Sequence, residues 1–418
     1  MRCDGPGIRN NAKRKVERMT ERLYYDDAYL WEFDAVVTGV RNGKRPGEWE
    51  VTLDRSAFYP TSGGQPFDTG TLSFGKTTAR VTDVEAGPEG EVFHTTDREI
   101  PAGTAVHGKI DGQRRTDHME QHGGEHMLAG AIHETLRGTT IGLHVGTEDS
   151  SIDVTLPEGR THLTEEEITM LENLVNERIR MDAPIHCWFP DEEELKSLPL
   201  RKPPTVTEHV RIVAMGDFEM VACGGTHPSS TGRIGLIKIV SAIPARGKVR
   251  VSFVCGGRAM GLFQTYMRYA DKAGAALSCP VDRLSRAASD LKGKLADAEK
   301  RANRLESAEI LREMNAAESS GDLDGATLCA LTIGETDSRA VAAAASDYIA
   351  QKGRILLLCA GERLTFGRSG DIPTDMNALI KRVGRGGGRP DMASGAGMPE
   401  CVAVARKILM TEGIKSRD

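Results

Sequence analysis

The sequence predicts an α+β protein made of a small N-terminal β-barrel, an α+β domain, a helical hairpin and a small C-terminal α/β domain. Three observations predict it: short alternating strands before residue 113, sheet segments on both sides of two helical segments, and a heptad repeat after residue 284. The predicted boundaries are 1–19 (a basic, disordered tail), 20–113 (barrel), 114–256 (α+β domain), 257–316 (hairpin) and 317–418 (α/β domain).

Composition excludes several classes of protein. The 418 residues are 39% hydrophobic and 27% charged, which allows a packed core. The eight cysteines form no CxxC pair, so a disulfide framework is not expected. No apolar run approaches the ~20 residues of a membrane helix, and no secretory signal is present, so we expect a cytoplasmic protein. The net charge of −6 means that any nucleic acid must be held by local basic patches.

The barrel is predicted from short β-type runs. Trp49, Val51 and Leu53 alternate with polar residues, as in a half-buried strand, and turn dipeptides precede them at 42–43 and 46–47. Similar runs follow at 79–84, 91–95 and 104–110. Several short strands with turn residues between them are typical of a small barrel or a curved sheet.

The α+β domain is predicted from two helices flanked by strands. The first helix covers 115–136, and the second begins at Thr164, whose spacing to Glu167 is that of a capping box. Strands are expected at 211–214, 234–240 and 249–254.

The hairpin is predicted from a heptad seam with charged residues on the other faces. The seam consists of Leu284, Ala288, Leu291, Leu295, Ala298, Ala302 and Leu305. Its expected partner is the preceding helix at 258–276, with a turn at 278–280. An ordinary solvated amphipathic helix is the alternative. The alanine-rich heptads could also pair between chains, so a homodimer through the hairpin or the C-terminal domain stays open.

The C-terminal domain is predicted from alternating strands and helices. Strands are expected at 326–333, 353–360 and 363–367, and helices at 338–351 and 374–382.

Two short motifs predict a metal site. His122 and His126 are spaced i, i+4, so both imidazoles project from one face of a helix. Cys223 and His227 flank two glycines that permit a tight loop. Cysteine and histidine ligands at tetrahedral geometry favour Zn²⁺ over Mg²⁺ or Ca²⁺, so we predict one zinc ion per chain.

Three other histidines are not counted as ligands. His118 lies one turn before His122, but one ion would not span from His118 to His126, so a packing or supporting role is expected for it. His133 and His144 are expected to be structural.

Two glycine-rich segments are candidate binding loops. The segment 56–66 contains Gly63 and Gly64, whose bare amides could cradle a carbonyl or a ribose, with Gln65 as donor and acceptor. The segment 381–391 surrounds a glycine run with cations, including Lys381, Arg385 and Arg389, and is the best local candidate for binding phosphates. A hairpin loop and a solvated loop are the plainer alternatives.

In this order, the motifs resemble the alanyl-tRNA editing proteins of the long AlaX type, free-standing relatives of the editing domain of alanyl-tRNA synthetase. The family pattern FYPxGGGQ, HxxxH, CGGTH and GGGRPDMA corresponds to 58–65, 122–126, 223–227 and 386–393. The resemblance extends over about 20–410. Ser62 replaces one glycine, and Ser56 stands where a threonine is common.

The resemblance implies a trans-editing hydrolase that removes serine, and in some members glycine, from the 3′ adenosine of tRNA-Ala. It implies that the acceptor end of tRNA-Ala is the partner. It also implies that the helical hairpin and the C-terminal domain are similar to a DHH-associated domain, whose glycine–arginine segment holds tRNA. Selection of serine needs a group that binds its hydroxyl. Ser56 and Gln65 are the candidate catalytic residues for that task, and Thr226, Gly63 and Gly64 are candidates for substrate binding.

Two points are left open by the sequence. Four protein ligands fill a tetrahedral zinc site, so the ion could either act on the substrate or order the pocket. The alternative function is a non-catalytic, zinc-stabilised module that binds RNA or protein.

Overall fold

The computed structural model describes residues 19–320, 323 and 325–414. The predicted tail at 1–19 lies outside the described residues except for Met19. The chain divides into two compact units, 1–269 and 270–418, and each is described by itself.

The first unit begins with the predicted barrel. Six strands close it in the order β2–β3–β7–β6–β5–β8, and a short parallel pair of β1 and β4 lies beside it. The strands up to the first helix are β1 (Glu21–Arg22), β2 (Glu32–Asn42), β3 (Trp49–Leu53), β4 (Arg55–Ser56), β5 (Gly70–Phe74), β6 (Thr77–Ala86), β7 (Val92–Thr96) and β8 (Ala105–Ile110). Alternate residues of these strands fill the interior, among them Phe33, Val37, Val51, Leu72 and Val106. The alternating pattern of the sequence is the cause of this arrangement.

Helix α1 (Gly112–Leu136) connects the barrel to the rest of the unit. Its N-cap is Asp111, whose side chain accepts the Arg114 amide N–H, and it ends at Arg137 in a left-handed conformation. The glycine pair in its middle permits close packing, since a Cβ at Gly124 would lie 2.1 Å from the sulfur of Cys255. Nearly every residue from 118 to 132 is buried, so this helix runs through the core.

A buried ion pair joins α1 to the barrel. The Arg115 guanidinium and the Asp68 carboxylate are both fully buried, and Nε of Arg115 lies 3.0 Å from Oδ1 of Asp68. Arg115 also donates to the carbonyl of Ala57 at 2.6 Å, and Asp68 accepts the amide N–H of Tyr59 at 2.6 Å. The pair therefore fixes the chain that leads into the glycine turn at 62–65.

Two further sheets and helix α2 complete the first unit. Helix α2 (Glu165–Arg180) begins with the predicted capping box of Thr164 and Glu167, and α3 (Glu192–Ser197) is short. The sheets have the strand orders β14–β15–β10–β9 and β11–β12–β13. Their strands are β9 (Thr139–Val145), β10 (Ser150–Thr155), β11 (Ile185–Trp188), β12 (Ile212–Met215), β13 (Glu219–Ala222), β14 (Ile237–Ala245) and β15 (Lys248–Cys255).

The two helices predicted as a hairpin are present as α4 (Gly256–Leu277) and α5 (Leu284–Ala316). The predicted burial of the heptad seam is not observed, because Leu291, Leu295 and Leu305 are 54%, 58% and 73% exposed. Only the last turns of α5 enter a core, through Ile310 and Met314. Small alanines on the seam offer little apolar area, so heptad spacing alone did not determine the packing.

The second unit contains one six-stranded sheet of order β16–β17–β18–β19–β21–β20, in which only β17 and β18 are parallel. Its strands are β16 (Glu318–Ser320), β17 (Thr327–Ile333), β18 (Arg354–Ala360), β19 (Arg363–Arg368), β20 (Arg385–Gly388) and β21 (Met392–Ala396). Besides α5, this unit contains the helices α6 (Ser338–Ile349), α7 (Met376–Val383) and α8 (Glu400–Glu412). Within the described residues, no helix combines the length and apolar character needed to cross a bilayer.

The glycine–arginine segment corrects the sequence prediction. It was expected to be a loop, but its residues Arg385–Gly388 form edge strand β20, paired antiparallel with β21. The backbones lie so close that a Cβ at Gly386 would meet the carbonyl of Ser394 at 2.6 Å. The glycines therefore allow the two strands to pair closely. A glycine-rich sequence alone does not distinguish such a strand from a loop.

Candidate metal centre

The four predicted ligands lie together. His122 and His126 stack on one face of α1 with ring centroids 5.0 Å apart, and the His227 ring lies 4.4 Å and 4.9 Å from them. The sulfur of Cys223 is 3.4 Å from Nε2 of both His122 and His227. One ligand atom from each residue lies within 4.8 Å of all the others, so a single ion could contact all four.

The chemistry of these atoms fits a metal ion. Both ring nitrogens of His126 and Nδ1 of His227 are buried and have no hydrogen-bond partner among the described residues. Burial lowers the pKa of His122 to about 3 and those of His126 and His227 well below the usual value, so the imidazoles are neutral, the form that binds metals. Burial raises the pKa of the Cys223 thiol to about 12. A cation would be needed to stabilise its thiolate.

The loop that carries Cys223 is held by an arginine side chain that bonds to its carbonyls, and it needs a glycine at position 225. The Arg211 guanidinium donates to the carbonyls of Cys223 at 3.1 Å and Gly225 at 2.8 Å. A Cβ at Gly225 would lie 2.2 Å from Cε1 of His122. Only glycine allows the loop to approach the histidine this closely.

Gln65 links two parts of the cluster, His122 and the loop at Thr226, by hydrogen bonds. Its Oε1 accepts hydrogen bonds from Nδ1 of His122 at 2.8 Å and from the amide N–H of Thr226 at 3.1 Å, and its Nε2 donates to the Thr226 hydroxyl at 2.7 Å. An amide oxygen can only accept, so the His122 proton resides on Nδ1 and Nε2 faces the cluster. Gln65 is fully buried and is not among the residues that line the cleft beside the cluster.

Gly63 and Gly64 form a tight turn beside the cluster. Ser62 and Gln65 exchange backbone hydrogen bonds of 3.1 Å and 2.9 Å, and the glycines between them have φ of +59° and +88°. A Cβ at Gly64 would meet the carbonyl of Leu143 at 2.1 Å. Among the described residues, no acceptor is bonded to the amides of Gly63 and Gly64. Both glycines line the cleft that leads to the cluster.

That cleft has a volume of about 750 Å³ and reaches His122, His126 and Cys223. It lies within the size range of small-ligand sites. Its charged lining consists of the cations Arg22, Arg201, Lys202 and Arg211 and the acids Glu125 and Glu208. Cations outnumber acids on these walls, so the cleft suits an anionic ligand although the whole chain is acidic.

Two family models match parts of the chain. The model of tRNA synthetases class II (A) matches residues 8–114, and that of the second additional domain of threonyl and alanyl tRNA synthetases matches 210–251. The alanyl-tRNA editing protein AlaX-L of Pyrococcus horikoshii is 31% identical over an alignment of 401 positions, which covers 90% of this chain and 94% of that protein. The chain belongs to the AlaX-L family of alanyl-tRNA editing proteins. The resemblance predicted from the motifs is thereby confirmed.

Two alanine–tRNA ligases are also similar to this AlaX-L family member. The ligase of Halorubrum lacusprofundi is 35% identical over 249 residues, and that of Pyrobaculum neutrophilum is 32% identical over 409 residues. The chain spans 26% of the length of the first ligase and 42% of the second.

Ser56 does not lie where the sequence analysis expected it. It is fully buried in the barrel, where its hydroxyl is 2.8 Å from Nε2 of His94 and accepts the amide N–H of Phe58 at 3.1 Å. Ser56 is not among the residues that line the cleft. These hydrogen bonds hold Ser56 inside the barrel, at the start of the chain that leads to the glycine turn.

Glu125 is a site residue that the sequence analysis missed. It lies between the two histidines on α1, lines the cleft and is 7% exposed. Burial raises the pKa of its carboxyl to about 7. The signal was present in the sequence, because His122 to His126 reads H-x-x-E-H, a spacing known from zinc enzymes in which the glutamate faces the metal site.

The remaining predicted residues lie elsewhere. His118 is buried outside the cluster, on the wall of a separate cleft, which agrees with a packing role, and His133 contacts the carbonyl of Gly138. Lys381, Arg385 and Arg389 are exposed in the second unit.

Proposed function

We propose that this AlaX-L family member hydrolyses the ester that joins a mischarged amino acid to the 3′ adenosine of tRNA-Ala, with seryl and glycyl esters as substrates. The observation that carries the proposal is the cluster of four candidate metal ligands, three of which line a cleft with more cationic than acidic side chains. Family membership supports it, because the AlaX-L relative is named an alanyl-tRNA editing protein.

We further propose that the ion is one Zn²⁺ per chain, held by His122, His126, Cys223 and His227. Three imidazole nitrogens and one sulfur suit zinc, whereas Mg²⁺ and Ca²⁺ prefer oxygen ligands. When bound, Zn²⁺ supplies Lewis-acid chemistry that polarises a carbonyl or lowers the pKa of a water molecule.

The residues of the chain position the ester. In the reaction, water adds to the ester carbonyl carbon, the bond to the ribose oxygen breaks, and that oxygen takes a proton. Gly63 and Gly64 line the cleft, and their amides, which donate to no acceptor among the described residues, could donate to the carbonyl oxygen as negative charge develops on it. Gln65 keeps His122 in the tautomer that points Nε2 at the cluster. Gln65 also holds the hydroxyl and amide of Thr226, the residue after Gly225, which lines the cleft.

The cleft also suits the nucleotide end of the substrate. Arg22 and Lys202 line its wall, and phosphate groups are held by such side chains. Tyr25 lines the same wall, with Phe189 stacked edge-on against it at 5.5 Å, and aromatic faces of this kind can stack on an unpaired base. In the second unit, we propose that Lys381, Arg385 and Arg389 contact the phosphates of the tRNA body.

The test is deacylation of Ser-tRNA-Ala, Gly-tRNA-Ala and Ala-tRNA-Ala, measured side by side with purified protein. We expect faster hydrolysis of the seryl ester, the glycyl ester or both than of the alanyl ester. Hydrolysis of none of the three by metal-loaded protein would contradict the proposal and would favour a non-catalytic binding module.

A further inference from the structure

The carboxylate of Glu125 is buried beside the four candidate metal ligands and has no hydrogen-bond donor among the described residues. The side chain is 9% exposed and lines the cleft. Its nearest ionisable neighbour within 4 Å is Nδ1 of the neutral His126 imidazole at 3.8 Å, which is too long for a hydrogen bond. No donor among the described residues bonds to its oxygens. A buried carboxylate in this state is costly unless a ligand supplies the missing partner.

The cations of the first unit do not supply that partner. Arg201 lines the same cleft, but its Nε is bonded to both carboxylate oxygens of Glu219 at 2.8 Å and 3.0 Å. Lys202 is exposed and forms no ion pair with Glu125 within 4 Å. Glu125 lines the cleft, so a cationic group of a substrate bound there could reach its carboxylate.

The substrate of the proposed reaction carries a matching group. An aminoacyl ester has an α-ammonium group on the carbon next to its carbonyl. A carbonyl placed at the four candidate ligands would bring that ammonium close to His126, whose Nδ1 lies 3.8 Å from the carboxylate of Glu125, the residue directly before it in the chain. An ammonium has three N–H donors and one positive charge. It can therefore both bond to the Glu125 oxygens and neutralise their negative charge.

We propose that Glu125 binds the α-ammonium group of the aminoacyl ester and so restricts the site to substrates with a free α-amine. This inference rests on the proposed function. It predicts that peptidyl-tRNA and other N-blocked esters are rejected even when the side chain is the same, because blocking the amine removes both its charge and two of its donors.

The experiment compares Ser-tRNA-Ala with N-acetyl-Ser-tRNA-Ala in the wild type and in Glu125→Gln. We expect the wild type to have a kcat/KM about 10- to 100-fold higher for the free amine, the size of one charged hydrogen bond. In Glu125→Gln that preference should fall to about threefold or less, through loss of activity on the free amine alone. Zinc content is measured in every sample and should be unchanged. Glu134→Gln, the same substitution on an exposed part of α1, is the matched control and should keep the wild-type preference.

Three results would overturn the inference. A wild type that hydrolyses both esters equally fast would show that the amine is not recognised, and this needs no variant to fold. An equal loss on both esters in Glu125→Gln would assign the carboxylate to the chemical step. A loss of zinc in that variant would show that it acts through His126. If the wild type retains zinc but hydrolyses neither ester, the proposed function itself fails.

Discussion

Two adjacent glycines in the cysteine–histidine loop have different surroundings. A Cβ at Gly225 would lie 2.2 Å from the His122 ring, whereas a Cβ at Gly224 would be no closer than 3.6 Å to any neighbour, the nearest being the Tyr25 hydroxyl. We expect Gly225→Ala to displace His122 and to lower metal affinity by at least tenfold, and Gly224→Ala to retain the metal. Metal content after dialysis against a weak chelator measures both. Equal retention by the two variants would contradict this geometry.

At the scale of single residues, the sequence predicted identities better than roles. His122, His126, Cys223 and His227 could be found because i, i+4 spacing and a glycine-flanked pair restrict where their side chains point. Gln65 was found as a residue but not as the hydrogen-bond partner of His122, which is 57 positions away. That contact exists only once the barrel and α1 have packed together, so local spacing cannot reveal it.

At the scale of elements, strand β7 contains a buried titratable group. His94 is fully buried between the Ser56 hydroxyl and the carbonyl of Val51, and burial lowers its pKa from 6.5 to about 4. As the pH falls below 6.5, the unfolded chain takes up a proton that the folded barrel does not, so the free energy of unfolding decreases down to about pH 4.

We therefore expect His94→Gln to be less sensitive to acid than the wild type. Between pH 7 and pH 5 the wild type should lose about 2 kcal/mol more of its unfolding free energy than the variant does. Urea denaturation of both proteins at the two pH values measures this, and metal loss at low pH would affect both proteins. Identical pH dependence in the two proteins would show that His94 can be protonated in the folded barrel.

Elements were predicted well where local pattern decides them and poorly where partners do. The alternation at 49–53 and the capping box at Thr164 gave the strand and the helix start seen in the structure. The heptad pattern predicted the helix correctly but predicted buried leucines where the structure has exposed ones. The glycine run at 386–388 predicted a loop, whereas the structure has an edge strand there. Both differences arise because packing depends on neighbours distant in the sequence.

At the scale of the whole molecule, the proposed function requires a protein with a net charge of −6 to bind a polyanionic tRNA. Replacing Lys381, Arg385 and Arg389 with alanine should weaken the binding of full-length tRNA-Ala and reduce its dependence on salt, because fewer phosphates would be neutralised. Deacylation of a short acceptor-stem substrate should be unchanged. Arg382→Ala is the matched control, since Arg382 is already paired with Glu412 at 2.7 Å. Unchanged affinity and salt dependence in the triple variant would remove these residues from the tRNA site.

The most direct measurement is zinc content and deacylation rate, determined on the same samples before and after removal of the metal. From the proposed function we expect about one zinc ion per chain at the four-residue cluster, loss of Ser-tRNA-Ala deacylation on chelation, and recovery on adding Zn²⁺. His227→Ala should bind the ion at least tenfold more weakly and lose the rate in parallel. A full deacylation rate in protein shown to contain no metal would contradict the account.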